Sequence, residues 1–88
     1  MAESESLIEY PCRFPIKVMG EASADFVDAM VSIACCFEPD FDRQSVEIRS
    51  SRNGKYTGLT LSVWVTQREQ LDELYRTLTS HPMVKVVL

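Results

Sequence analysis

From Leu59 to Thr66 the chain alternates without a break. Leu59, Leu61, Val63 and Val65 fall on one face, and Thr60, Ser62, Trp64 and Thr66 on the other. A period of two, rich in β-branched residues, predicts a strand with one buried face. Arg52-Asn53-Gly54-Lys55 precedes it, and Asn-Gly predicts the positive φ angles of a two-residue type I′ turn. With Asn53 and Gly54 as the loop, Ile48 and Val46 oppose Leu59 and Leu61. Apolar then meets apolar, so turn and alternation agree on one register, with Ile48 facing the helices.

Upstream, Phe14, Ile16 and Val18 alternate with Pro15, Lys17 and Met19, a first strand from Phe14 to Gly20. Its early proline is tolerable where no ladder donor is needed. Pro11 and Pro15 keep Cys12-Arg13-Phe14 extended, within an N-terminal extended segment (7–13) whose Leu7, Ile8 and Tyr10 can dock. Met1–Ser6 offers little to pack and reads as disordered. Ser23 predicts an N-cap, with Asp25 in the first turn. Phe26, Met30, Ile33, Ala34 and Phe37 then form the apolar stripe of a helix from about Ala24 to Phe37, stopped by Pro39.

The second strand is read at Ser45–Ser51. Thr66, with Glu69 three residues on, predicts a capping box for a helix whose Leu71, Leu74, Tyr75 and Leu78 share one face. Ser80-His81-Pro82 stops it, with His81 placed to interact with the helix dipole. Val84, Val86 and Leu88 alternate with Lys85 and Val87 as a last short strand, Val87 facing outward. The order β-α-β-β-α-β with right-handed crossovers predicts one α+β domain, a ferredoxin-like two-layer sandwich. Both helices cover one face of an antiparallel sheet of order 4-1-3-2, whose central first and third strands are read as parallel to each other.

Composition narrows the function classes. A chain of 88 residues has room for one domain, and a net charge of −4 offers no general basic surface for nucleic acid. No apolar run reaches bilayer length, and Met-Ala-Glu-Ser-Glu-Ser is unlike a signal peptide, so a cytoplasmic location is expected. Cys12, Cys35 and Cys36 form neither a disulfide framework nor a Cys-x-x-Cys pair and read as small buried hydrophobes. Counted from Glu38, the loop Glu38-Pro39-Asp40-Phe41-Asp42-Arg43-Gln44 leads to Arg43 at the sixth position and Arg49 at the twelfth, where a calcium loop needs glycine and glutamate, so it reads as a solvated turn.

Phe14-Pro15-Ile16-Lys17-Val18-Met19-Gly20, the Ser50–Tyr56 hairpin and the closing His81–Leu88 resemble the YbeD-like family of small uncharacterised bacterial proteins. The likeness runs from about Leu7 to Leu88. It implies a ferredoxin-like fold similar to small-molecule-sensing ACT regulatory domains, and no catalytic residues.

Activities hosted by this fold need residues that are missing. The loop Met19-Gly20-Glu21-Ala22-Ser23 has neither the paired cysteines of a copper chaperone nor the arginine of an acylphosphatase. An RNA-binding sheet needs aromatics on both central strands, and only Trp64 qualifies. No enzyme, cofactor or metal is expected. Two surfaces remain. One is the open sheet face with Lys17, Arg49, Thr60, Ser62, Trp64, Lys85 and Val87, where Trp64 is expected to be shielded by the N-terminal segment or a second chain. The other is the turn at Gly20, Glu21 and Ser23, where helix-start amides can hold an anionic effector. The expected function is a non-enzymatic ACT-like regulatory or adaptor module binding a small metabolite or a partner enzyme. The alternative is a purely protein-binding homo-oligomer, a weak dimer through the open face or the fourth-strand edge.

Overall fold

The structure, a computed structural model, describes residues 9–88. In chain order they form β1 (Cys12–Glu21), α1 (Ala24–Phe37), a 3-10 turn (Arg43–Ser45), β2 (Glu47–Ser50), β3 (Tyr56–Val65), α2 (Arg68–Thr79) and β4 (Val84–Val87). The sheet order is β2-β3-β1-β4 with every neighbour antiparallel, the ferredoxin-like sandwich that the sequence predicts. The expectation that the central strands run parallel is overturned. Each crossover joins parallel strands, β1 to β2 and β3 to β4, but skips one strand, so the central neighbours β1 and β3 oppose each other. The expectations for Met1–Ser6, Leu7 and Ile8 lie outside the described residues.

Alternation decides which face of the sheet is buried. Ile16 and Val18 of β1 and Leu59, Leu61, Val63 and Val65 of β3 are all buried, against Phe26, Met30 and Ala34 of α1 and Leu71, Leu74 and Leu78 of α2. Phe41 joins this core from the α1–β2 connection, so that loop is anchored rather than merely solvated. Ile48 pairs with Leu59 as the hairpin register requires. It is nevertheless 57% exposed, because β2 forms the border of the sheet and the helices pack mainly over the other strands.

The turn differs from the type I′ expectation. Only Gly54 has a positive φ, at 75°, whereas type I′ needs two such residues. Gly54 N–H donates to Ser51 O at 3.0 Å, and Ser51 N–H to Tyr56 O at 2.9 Å, so the loop is Arg52–Lys55, built on a turn beginning at Ser51. Asn53 accepts from the Lys55 N–H through Oδ1. Because Ser51 still opposes Tyr56, both loops give the same register.

Caps close both helices. Ser23 Oγ accepts the Phe26 N–H at 3.1 Å. At α2 the N-cap is Gln67, without a side-chain cap, and the Thr66–Glu69 box does not form. Gln70 takes its place: its Oε1 accepts the Thr66 N–H at 2.7 Å and the Thr66 hydroxyl at 3.1 Å, while its Nε2 donates to Phe37 O at 3.4 Å. Gln70→Ala should therefore cost about 1 kcal/mol, and Glu69→Ala less than about 0.5 kcal/mol. Urea midpoints of the two variants check the order; equal midpoints would contradict it. His81 Nδ1 accepts the Met83 N–H at 3.1 Å, so the imidazole shapes the turn into β4 rather than serving the helix dipole.

β4 keeps its predicted facing at Val84 and Lys85 and reverses it from Val86 to Leu88. Val18 pairs with Val87 and Met19 with Val86, but Gly20 pairs with Val84, leaving Lys85 as an extra residue in a bulge. The bulge lets Val84 and Val87 both pack on the core, while Val86 and Leu88 stand exposed. Val87 is thus an inward-facing residue and not part of the open face.

Candidate functional site

Two rows of side chains cross the middle of the open face. Pairing places Val86, Met19, Gly58 and Arg49 in one row. In the next stand Lys17, Thr60 and Glu47, joined by Leu88, whose N–H donates to Lys17 O at 2.7 Å and whose carbonyl oxygen accepts the Lys17 N–H at 3.2 Å. Gly58 interrupts the first row. Its missing side chain leaves a depression of about 290 Å³ lined among others by Lys17, Met19, Arg49, Val86 and Leu88. A Cβ at Gly58 would meet only Arg49 O, at 3.8 Å, so neither crowding nor φ demands glycine here. The residue opens the surface instead.

Chemically the depression is amphipathic. Met19, Val86 and Leu88 are 42%, 44% and 72% exposed on its β1–β4 side. Lys17 and Arg49 stand on either side of Gly58, and neither makes an ion pair or side-chain hydrogen bond among the described residues. Such an exposed apolar cluster beside unspent cations is suited to a ligand that brings both an apolar group and negative charge.

A second constellation lies farther along the face, around Trp64. Pro15 has no N–H, so its pair with Ser62 exchanges no hydrogen bonds, and Ser62 and Trp64 turn their peptide groups toward the β2 side. There β2 has stopped, since it pairs only with Thr57–Thr60. Arg13 and Glu38 substitute for the missing strand. The Arg13 guanidinium donates to Ser62 O at 2.8 Å, and Glu38 Oε1 accepts the Trp64 N–H at 2.9 Å. The two side chains close on each other through two hydrogen bonds of 3.1 Å. The guanidinium carbon lies 5.7 Å from the Trp64 ring centre, within cation–π range. Arg13 chiefly, and then the Trp64 N–H, hold the Glu38 carboxyl below its ordinary value against opposing desolvation. Trp64 itself is 42% exposed, with Arg13 as its cover among the described residues.

Of the residues singled out from sequence, Lys17, Arg49, Thr60, Ser62 and Trp64 do share this face. Lys85 sits exposed in the bulge, and Val87 is on the other side. The Gly20 turn has another character. Gly20 is buried within β1, and a Cβ there would lie 2.4 Å from Met83 O and from the Phe26 ring. Four nearby amides are already engaged: Glu21 N–H donates to Met83 O, Ala22 N–H to Lys55 O, Ser23 N–H to Glu21 O and Phe26 N–H to Ser23 Oγ. Arg13, Glu38, Val86, Leu88 and Gly58 are not singled out by the sequence, which places Met19 on the open face through its alternation with Val18 without marking it as a site residue. Gly58 carries a local signal too, as a break in the otherwise filled polar side of β3. The cysteines fall short of the burial expected of them: Cys12 and Cys35 are half-buried and Cys36 is exposed. Among the described residues no three metal-ligating side chains gather, and no helix is long and apolar enough to cross a membrane.

Residues 5–88 match a family described as "Protein of unknown function (DUF493)". A UPF0250 protein of Paraburkholderia phytofirmans is 53% identical over 97% of this chain and 96% of its own length. UPF0250 proteins of Nitrosomonas europaea and Ralstonia nicotianae are 52% and 57% identical, each over 96% of this chain and over 97% and 87% of their own lengths. Among solved structures, the solution structure of protein HP0495 from H. pylori aligns with a TM-score of 0.76, covering 92% of this chain and 85% of that one. At 20% identity this likeness speaks for the fold alone.

Proposed function

The chain belongs to this small bacterial family of unknown function, and we propose that it is a non-enzymatic regulatory or adaptor module whose open sheet face receives a partner protein. The observation that carries this reading is the depression over Gly58, where a strand position with room for a Cβ is left empty beside exposed Met19, Val86 and Leu88 and beside Lys17 and Arg49, which have no ion pair among the described residues. A partner enzyme is favoured over a small metabolite held in ACT-like fashion at Gly20. The amides of Glu21, Ala22 and Ser23 are spent within the chain, and the depression is at the small, open end of the roughly 300–1,000 Å³ typical of ligand pockets.

A photo-crosslinking residue at Thr60, in the centre of the face, tests this in native lysate against the same residue at Asp72 on the helix side. One adduct of defined mass from position 60, absent from position 72, is the expected result. Adducts from the helix side alone would overturn the reading. A second reading, self-association along β4, is favoured by the exposure of Leu88 and Val86 with only Lys85 between the edge and solvent. Because Val87 faces the core, the variant that tests it is Leu88→Lys, read by sedimentation. A wild type already monomeric at about 1 mM would exclude even a small interface near the roughly 1,200 Å² low end.

A further inference from the structure

We infer that the partner segment received over Gly58 is an acidic one: a bulky apolar side chain seated on Gly58, flanked by aspartates or glutamates that meet Lys17 and Arg49. This rests on the proposed use of the open face and adds the chemistry of its occupant.

The argument begins with how charge is divided between the two layers. The helices carry Asp25, Asp28, Glu69, Asp72 and Glu73 against Arg68 and Arg76. The strands carry Arg13, Lys17, Arg49 and Lys85 against Glu21 and Glu47. A chain of net charge −4 therefore presents its sheet as its basic side. Ion pairing sharpens the division. Arg43 pairs with Asp28, Arg68 with Asp72, Arg76 with Glu73 and Arg13 with Glu38, whereas among the described residues Lys17 and Arg49 are left without a carboxylate although Glu47 is on the same face.

Their placement relative to Gly58 is specific. Arg49 lies directly opposite it on β2, and Lys17 diagonally across on β1, within reach of groups bound at the glycine. Met19, opposite Gly58 on its other side, and Val86 beyond it continue the row as an apolar wall. An occupant must therefore bring an apolar group to the centre and negative charge to two sides about one row apart. A nucleic-acid strand supplies charge without the central aliphatic group, and a second copy of this chain would have to offer its acidic helix layer, making both of them outcomes of the test.

The probe is a fluorescein-labelled synthetic peptide with one central leucine between runs of glutamate and aspartate, titrated into the full chain and followed by anisotropy and by amide shifts. Binding should move the Gly58, Lys17 and Arg49 amides and weaken with added salt. It should fall about tenfold or more when glutamine and asparagine replace the acids, when serine replaces the leucine, or in Gly58→Val. Gly58→Val suits the test because a Cβ there meets nothing closer than 3.8 Å; its thermal melt confirms folding, and Lys17→Glu/Arg49→Glu gives an independent variant. Equal binding of the neutral peptide, binding that survives Gly58→Val, equal competition by an oligonucleotide, or wild-type self-association lost in Gly58→Val would each overturn the inference. Should the peptide fail while the Thr60 crosslink persists, the partner's chemistry is wrong and the use of the face stands. Loss of both removes the two together.

Discussion

Replacing Gly20 with alanine should cost about 3 kcal/mol and lower Tm by about 15 °C, a large share of the stability of so short a chain. The reason lies in how α1 returns over β1. Gly20 is buried where the strand passes under the first turn of the helix, and an added Cβ would come within 2.4 Å of Phe26 Cε1 and 2.4 Å of Met83 O. Phe26 is wholly buried, so its ring cannot swing into solvent. The Met83 carbonyl is also fixed, because it accepts the Glu21 N–H. Neither contact yields cheaply. Shrinking the ring separates the two causes. Phe26→Leu alone should cost about 1 kcal/mol, while the double variant should be more stable than the two costs added together, a coupling expected only for residues in contact. Urea denaturation of the four proteins checks this. A Gly20→Ala variant within about 0.5 kcal/mol of wild type, or strictly additive costs, would show that the strand can move away from the helix.

The same glycine shows where sequence reasoning runs out. It was legible as the end of a strand, and a glycine before a helix suggests space for an anion. The structure supplies a steric reason instead, visible only once α1 and the β4 turn are folded over it. Elements and register were legible because each was stated twice. The alternation of Leu59 to Val65 and the Asn53-Gly54 turn gave the same pairing, and that pairing survived even though the turn was of another type. β4 had only its own alternation. A bulge at Lys85 is a property of the β1–β4 ladder and not of five residues, so the alternation alone predicts Val87 outward whereas it packs inward.

The open face was legible in its polar members, Lys17, Arg49, Thr60, Ser62 and Trp64, because one alternation fixes both faces of a strand. Its apolar wall was not, since Val86 and Leu88 reached that face through the bulge. The Arg13–Glu38 pair was illegible for another reason. Its partners are 25 positions apart, and Glu38 looked like one more carboxylate in an acidic turn. What recruits it is the early end of β2, which leaves Ser62 O and Trp64 N–H unpaired.

The pair makes the second large prediction. Glu38→Ala should cost about 1.5 kcal/mol, since Arg13 loses its carboxylate and the Trp64 N–H its acceptor. Arg13→Ala should cost about 1 kcal/mol, the smaller figure reflecting solvent screening of a half-exposed guanidinium. The double variant should be about 1 kcal/mol more stable than additivity requires. Acid supplies an independent check. The Glu38 carboxyl is held below its ordinary value of 4.5, first by the Arg13 hydrogen bonds, then by the Trp64 N–H, with desolvation opposing. A carboxyl lowered on folding contributes stability that is complete above its unfolded value and is lost as pH falls through the lower folded value. Wild-type stability should therefore decline below about pH 4.5 more steeply than that of Glu38→Gln, whose amide keeps an acceptor for Trp64 but carries no charge. Across that range Trp64 fluorescence should change in the wild type as Arg13 is released from above the ring, and remain level in the variant. Parallel stability curves for the two proteins from about pH 7 to about pH 3 would remove Glu38 as the source of the acid dependence. The border of β3 beyond β2 would then be held by the hydrogen bonds to Ser62 O and from the Trp64 N–H, without a contribution from the Glu38 charge.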